Sequence, residues 1–147
     1  MNKLEFVQQA HAAALRSSER SGMPAMVTVA QAALESNWGQ SELSQEANNF
    51  FGIKAHGTHE RIQMRTEECA HGERITVEAE FAKYPSLLGC IQCRDGILLR
   101  SAIYAAARQA RGDETEFIRE IAKHWATDPK YAEKLQAVLG EVKRLVE

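Results

Sequence analysis

Along the first eighteen residues the apolar positions Leu4, Val7, Ala14 and Leu15 recur at helical spacing, with His11 in phase and polar residues opposite. This predicts a helix from Lys3 to about Ser18, and the polar run Arg16 to Gly22 ends in a glycine that stops it. Pro24 suits a first helical position. Met26, Val27, Val29, Ala30 and Leu34 then carry a second helix to Glu35, and Ser41 caps a short helix reaching Ala47. From Arg61 the period changes. Ile62, Met64 and Thr66 alternate with polar residues, and so do Ile75, Val77, Ala79 and Phe81, which predicts two strands of a β-hairpin lobe at about residues 58–84. The connection from Glu68 to Arg74 is longer than a two-residue turn, so a mobile tip carrying Glu67, Glu68 and Glu73 is expected.

Helical pattern returns after Tyr84-Pro85-Ser86, with Ser86 as cap. It runs from Leu87 to Arg111 with a break near Gly96. Asp113 and Glu116 form a capping box for a helix from Glu114 to about Trp125. Asp128-Pro129 opens the last helix, Pro129 to Val146, whose stripe is Tyr131, Leu135, Val138, Leu139, Val142 and Leu145. No repeat, low-complexity tract or linker divides the chain. The pattern therefore predicts a single domain over residues 1–147, mainly helical α+β, with one hairpin inserted in the middle.

Composition narrows the picture. The chain has 147 residues, with 44% hydrophobic and 26% charged, which is enough apolar material for a core and argues against disorder. A net charge of −2 argues against a nucleic-acid binder working through a basic face. No apolar run reaches the length of a membrane span, and the N-terminus lacks the apolar core of a signal peptide. The reading is of a protein made in the cytoplasm without a leader. Cys69, Cys90 and Cys93 are an odd number, and the Cys90/Cys93 pair has no second pair or histidine completing a zinc site. They read as buried thiols, with a Cys69 bridge to one of the others open in an oxidising compartment. No metal or other cofactor is expected.

Two stretches carry candidate chemistry. In Ala30-Gln31-Ala32-Ala33-Leu34-Glu35-Ser36-Asn37-Trp38-Gly39 a carboxylate stands at the last turn of a small, apolar helix. Partial dehydration and the negative end of the helix dipole both raise its pKa, which suits a general acid near neutral pH. A solvated glutamate at a helix end fits the local sequence equally well. In Asn48-Asn49-Phe50-Phe51-Gly52-Ile53-Lys54 two amides adjoin two aromatics, the combination that grips a sugar by ring contact and hydrogen bonds. One of Phe50 and Phe51 is expected to plug the core instead.

These two stretches in this order resemble the glucosaminidase family of peptidoglycan hydrolases, which includes the flagellar wall-cutting protein of Gram-negative bacteria and several autolysins. The likeness continues through Thr66-Glu67-Glu68, Phe81-Ala82-Lys83-Tyr84-Pro85-Ser86, and Trp125-Ala126-Thr127-Asp128-Pro129-Lys130-Tyr131. The resemblance implies a lysozyme-like fold, with a helical lobe and a hairpin lobe flanking a cleft. It also implies hydrolysis of the β-1,4 bond between N-acetylglucosamine and N-acetylmuramic acid in the peptidoglycan strand. By position, the family's catalytic acid falls on Glu35, its second carboxylate on Glu68 (Glu67 if the register slips by one) and its active-site tyrosine on Tyr131. Trp38, Asn49, Phe50, Phe51 and Trp125 are the expected substrate contacts. Where relatives often have Gly-Tyr before Ala-Thr-Asp-Pro, this chain has His124-Trp125, which keeps an aromatic surface and alters the shape of the site.

The chemistry so implied is protonation of the leaving oxygen by Glu35. Water is activated by a carboxylate about 6.5–9.5 Å away, or the substrate's own acetamido group attacks. A lytic transglycosylase or muramidase acting on the same glycan, and a non-catalytic glycan-binding protein, are the rival readings. A domain with no leader must reach the periplasm or wall by another route. It could be a type VI secretion effector whose cleft is plugged by a cognate immunity protein in the producer. It could equally be a phage endolysin released through a holin, or a domain of a longer autolysin.

Overall fold

The computed structural model describes residues 1–147 except the side chains of Glu68, Cys69 and Ala70, so the expected second carboxylate, Glu68, and one cysteine thiol lie outside what is described. The architecture is mainly helical α+β with a two-stranded antiparallel sheet. Helix α1 (Lys3–Ser21) opens on Asn2, whose side chain accepts from the Glu5 amide, and closes on Gly22 in the left-handed region. Its buried face is rotated from the expected one. Phe6, Val7, Ala10, Ala14, Ser17 and Ser21 face inward, whereas Leu4 and Leu15 are exposed. The two serines turn inward because they have a buried carboxylate to bond.

Helix α2 (Ala25–Ser36) is central, with Pro24 just before its first turn rather than inside it. Residues Val27 to Ala33 are all buried, so it is covered on every side, chiefly by α1 and by α7 (Tyr131–Val146). Small side chains permit that close approach. Helix α3 (Glu42–Ala47) is capped by Ser41, as expected. Helix α4 (Leu87–Arg100) is capped by Ser86 and runs through Gly96 unbroken. The interruption comes at Ser101, followed by a 3-10 turn (Ala102–Tyr104) and short α5 (Ala105–Gln109). Helix α6 (Glu114–Trp125) starts at Asp113, which accepts from the Glu116 amide. The last helix starts two residues later than Pro129. Asp128 holds the entry by accepting from the Lys130 amide through its side chain and from the Tyr131 amide through its carbonyl.

Strands β1 (Arg61–Ala70) and β2 (Glu73–Ala82) are longer than the alternation suggested, and only His71 and Gly72 join them. Both have positive φ, 53° and 79°, the primed-turn geometry whose twist matches a hairpin. The expected long tip is therefore a tight turn, and Glu67 and Glu73 belong to strands. The register sets Met64 opposite Ala79 and Thr66 opposite Val77, which places the apolar positions on one face. At its base β2 also pairs with the chain after Phe51: the Ala82 amide donates to the Ile53 carbonyl and the Ala55 amide to the Glu80 carbonyl. The hairpin is thereby tied to the aromatic-amide loop.

Candidate active site

Helix α2 ends immediately after Glu35. Asn37, Trp38 and Gly39 all have positive φ, turning the chain away so that Glu35 stands at the rim of a cavity of about 610 Å³. The turn is held by the Ser36 hydroxyl, which donates to the Ala32 carbonyl and accepts from the Gly39 amide. The cavity lies between the helical body and the hairpin. Glu35, Phe51, Ile97, Tyr104 and Trp125 line one side, and Thr66, Glu67 and Phe81 come from the strands. Lys54 also lines it.

One oxygen of Glu35, Oε1, accepts from the Tyr131 hydroxyl at 2.8 Å. Among the described residues no protein donor reaches Oε2. Burial pushes the carboxyl above the ordinary 4.5, and the Tyr131 hydrogen bond opposes that rise. Burial and the neighbouring Glu35 carboxyl drive Tyr131 the other way from ionisation, so it keeps its proton at any working pH.

The aromatic surface is continuous. Phe51 and Trp125 meet edge to face with centroids 6.3 Å apart, Trp125 lies 6.1 Å from Tyr104, and Tyr104 lies 5.9 Å from His124. Of the pair His124-Trp125, Trp125 lines the cavity and His124 packs on the Tyr104 ring. Tyr104 was not singled out from the sequence, since it stands in an unremarkable alanine-rich run, and only the break after α4 turns it into the cavity.

The expected substrate contacts divide. Phe51 and Trp125 line the cavity. Phe50 fills the core against Phe6, 6.0 Å away. Trp38 also packs on Phe6, with the Lys3 ammonium 4.5 Å above its ring, so the left-handed turn that exposes Glu35 points Trp38 away from the cavity. Asn49 is buried, and its amide is occupied by the loop. It donates to the Ile53 and Ala82 carbonyls at 2.8 and 2.9 Å and accepts from the Ile53 amide at 3.1 Å. Its task is to fasten loop to hairpin. Tyr131 does not line the cavity and reaches it only through Glu35.

Of the cysteines described, Cys90 is fully buried, accepts from the Phe50 amide and has its thiol pushed up to about 12 by burial; Cys93 accepts from the Tyr84 hydroxyl. Both are free thiols.

Comparison with known proteins agrees with this geometry. A family model described as glucosaminidase, mannosyl-glycoprotein endo-beta-N-acetylglucosaminidase, matches residues 11–144. The peptidoglycan hydrolase FlgJ of Escherichia coli O157:H7 is 35% identical over 146 residues, 95% of this chain and 47% of the relative. The catalytic domain of the autolysin Auto from Listeria monocytogenes superposes with a TM-score of 0.86 at 28% identity, covering 98% of this chain and 86% of that one. A type VI secretion system effector-immunity complex from Pseudomonas protegens shares the fold, with a TM-score of 0.69 at 20% identity over 97% of this chain and 92% of that one. The chain spans about half the length of the curated relatives it matches.

Proposed function

The chain belongs to the glucosaminidase family, and from that membership and the site's geometry we propose that it is a catalytic domain hydrolysing the β-1,4 bond between N-acetylglucosamine and N-acetylmuramic acid in peptidoglycan. The observation that carries this is Glu35. It is a partly buried carboxyl with one oxygen held by Tyr131 and the other, among the described residues, without a protein donor, at the rim of an aromatic-lined cavity. Glycoside cleavage passes through an oxocarbenium-like state, and the leaving oxygen must receive a proton as its bond to the sugar breaks. Glu35 gives that proton from Oε2 and is left as a carboxylate. Trp125, the partly exposed ring of the wall, supplies a surface for the apolar side of a sugar, and the buried rings of Phe51 and Tyr104 pack against it.

Water is then delivered to the opposite face by a second carboxylate, or the substrate's acetamido group attacks first. For the carboxylate we propose Glu68, on the resemblance stated above, with Glu67 as its alternative; Glu67 is the member of the pair described, and it lines the cavity. Among the described residues no helix is long and apolar enough to cross a membrane. The proposed place of action is the cell wall in the periplasm of a target cell. The fold shared with an effector held by its immunity protein supports a plug-like protein partner for this cleft.

The test is digestion of purified sacculi. Glu35→Gln keeps the fold and loses nearly all wall-degrading activity, a drop of about 10²- to 10⁴-fold for removal of a general acid. Full activity in that variant overturns the assignment. Glu68→Gln is severely impaired as well; impairment in Glu67→Gln instead moves the second carboxylate by one residue. Mass spectrometry of the fragments shows free reducing ends at N-acetylglucosamine, whereas anhydro-muramic ends would identify a transglycosylase.

A further inference from the structure

Behind Glu35 a run of polar side chains crosses the otherwise apolar centre of the molecule. Tyr131, whose hydroxyl reaches Glu35, accepts from Gln31 Nε2 at 3.2 Å. Gln31 Oε1 accepts from Arg94 Nε at 3.0 Å. Arg94 Nη1 donates to Thr28 at 2.9 Å and to Asp95 Oδ1 at 2.8 Å. Asp95 Oδ2 accepts from Ser17 at 2.6 Å and Ser21 at 2.9 Å. Gln31 and Arg94 are both 0% exposed. The Arg94 guanidinium carbon also lies 5.7 Å from the Phe51 ring and 5.9 Å from that of Phe117.

The polarity of this chain is determined by chemistry. A guanidinium has five donors and no acceptor and does not lose its proton in proteins, so Gln31 must turn its oxygen to Arg94. Its NH2 group must then face Tyr131. With that N–H on its oxygen, Tyr131 sends its own hydrogen to Glu35 Oε1, the one other acceptor among its described partners. If the carboxyl carried its proton on Oε1, that proton and the Tyr131 hydrogen would meet head on, and the hydroxyl would have nowhere else to donate. Every arrow therefore runs from Arg94 toward Glu35 and stops at Oε1.

We infer that Gln31, oriented by Arg94, is a positioning residue that forces the acid's proton onto Oε2, the oxygen left for the cavity. The inference rests on the reading of Glu35 as the acid. Gln31 touches no substrate. It acts through the Tyr131 hydroxyl, and its loss lets the proton sit on the unproductive oxygen for part of the time.

The experiment is a double-mutant cycle in the purified chain, using Gln31→Met and Tyr131→Phe singly and together, with soluble uncross-linked glycan strands as substrate and melting curves as the check on folding. Gln31→Met lowers kcat about 10-fold or more, the hold of one buried hydrogen bond, and leaves KM unchanged. In the Tyr131→Phe background the same substitution has no further effect on kcat. Equal losses in both backgrounds, a rise in KM with kcat intact, or an unchanged kcat would each overturn the inference. If Gln31→Met does not fold, Gln31→Glu replaces it. That side chain keeps the Arg94 contact but can only accept from Tyr131, so it diverts the hydroxyl hydrogen away from Glu35 and lowers kcat at least as far; full activity in it also refutes the idea. An active Glu35→Gln would sink the acid assignment itself, whereas an inactive one with independent Gln31 and Tyr131 effects sinks only the positioning role.

Discussion

Replacing Asp95 by alanine tests whether the buried polar run holds the fold together. Asp95 is 3% exposed and accepts three hydrogen bonds, from Arg94, Ser17 and Ser21, which ties α4 to α1. Alanine leaves the guanidinium of Arg94, wholly buried, without its counter-charge. Breaking one side of a buried ion pair costs about 3–5 kcal/mol, because the remaining charge stays dehydrated. The two serine hydroxyls add little. They border a surface cavity of about 680 Å³, lined also by Arg16, Arg20 and Arg100, where water can replace the lost acceptor. The lower figure, about 3 kcal/mol, is therefore the expected loss. Unfolding entropy near 2.1 cal/mol/K per residue gives roughly 0.3 kcal/mol/K for a domain of this size, so Tm falls by about 10 °C. Calorimetric melting at pH 7 measures it, with Arg119→Ala as the control. That residue's pair with Glu116 lies at the surface, where solvent screens it, and its removal moves Tm by no more than about 2 °C. An Asp95→Ala protein melting as close to wild type as that control would refute the reasoning.

Three other outcomes follow from the geometry. Because burial raises the Glu35 carboxyl above its ordinary 4.5, the folded chain keeps a proton that the unfolded chain gives up, and stability falls as pH rises through that window. Glu35→Gln removes this loss, so its Tm matches wild type below pH ~4 and exceeds it at pH ~8, a comparison that a pH series of melts makes directly. At Gly39, φ is +79° and an added Cβ would come within 2.9 Å of the Phe6 ring, so Gly39→Ala costs about 2 kcal/mol or more in strain and overpacking, read as a drop in urea midpoint at unchanged slope. Tyr131→Phe removes the bond that favours ionised Glu35, so the alkaline limb of the kcat profile moves to higher pH while the plateau falls.

Glu35 was legible because its signals are local: a carboxylate ending an apolar helix, next to residues that turn the chain. The hairpin's existence was legible from alternation, but its turn was not. His71-Gly72 is not one of the usual dipeptides for two positive-φ residues, so the strands were read short and the loop long. Trp38 lies three residues from Glu35, and only the run of left-handed residues from Asn37 to Gly39 reveals that it points into the core. The relay escaped for another reason. Gln31 stands 63 residues from Arg94 and 100 from Tyr131, and a polar residue inside an apolar stretch has no visible partner in sequence. Thr28, Gln31 and Glu35 do fall on one line of α2 at helical spacing, and Ser17 and Ser21 on one line of α1, which is the trace such a run leaves.

In the proposed mechanism Glu35, as the acid, needs two opposed influences, and the fold supplies them from different sources. Burial among apolar side chains raises the Glu35 pKa, so that the proton is present when substrate arrives. Burial alone would leave the carboxylate formed on proton transfer stranded in a dehydrated site. Tyr131 corrects this, since a hydrogen bond to a carboxylate is stronger than one to a neutral acid, and its strength grows as the proton leaves. That interaction is worth more in the transition state than before it, which is the condition for raising kcat rather than tightening binding. It serves only if the hydroxyl hydrogen points at Glu35 in every molecule, and a freely rotating phenol would not ensure that. A donor chain anchored on a cation that cannot lose its proton does, and so a fully buried arginine stands behind the carboxyl proposed to give its proton away.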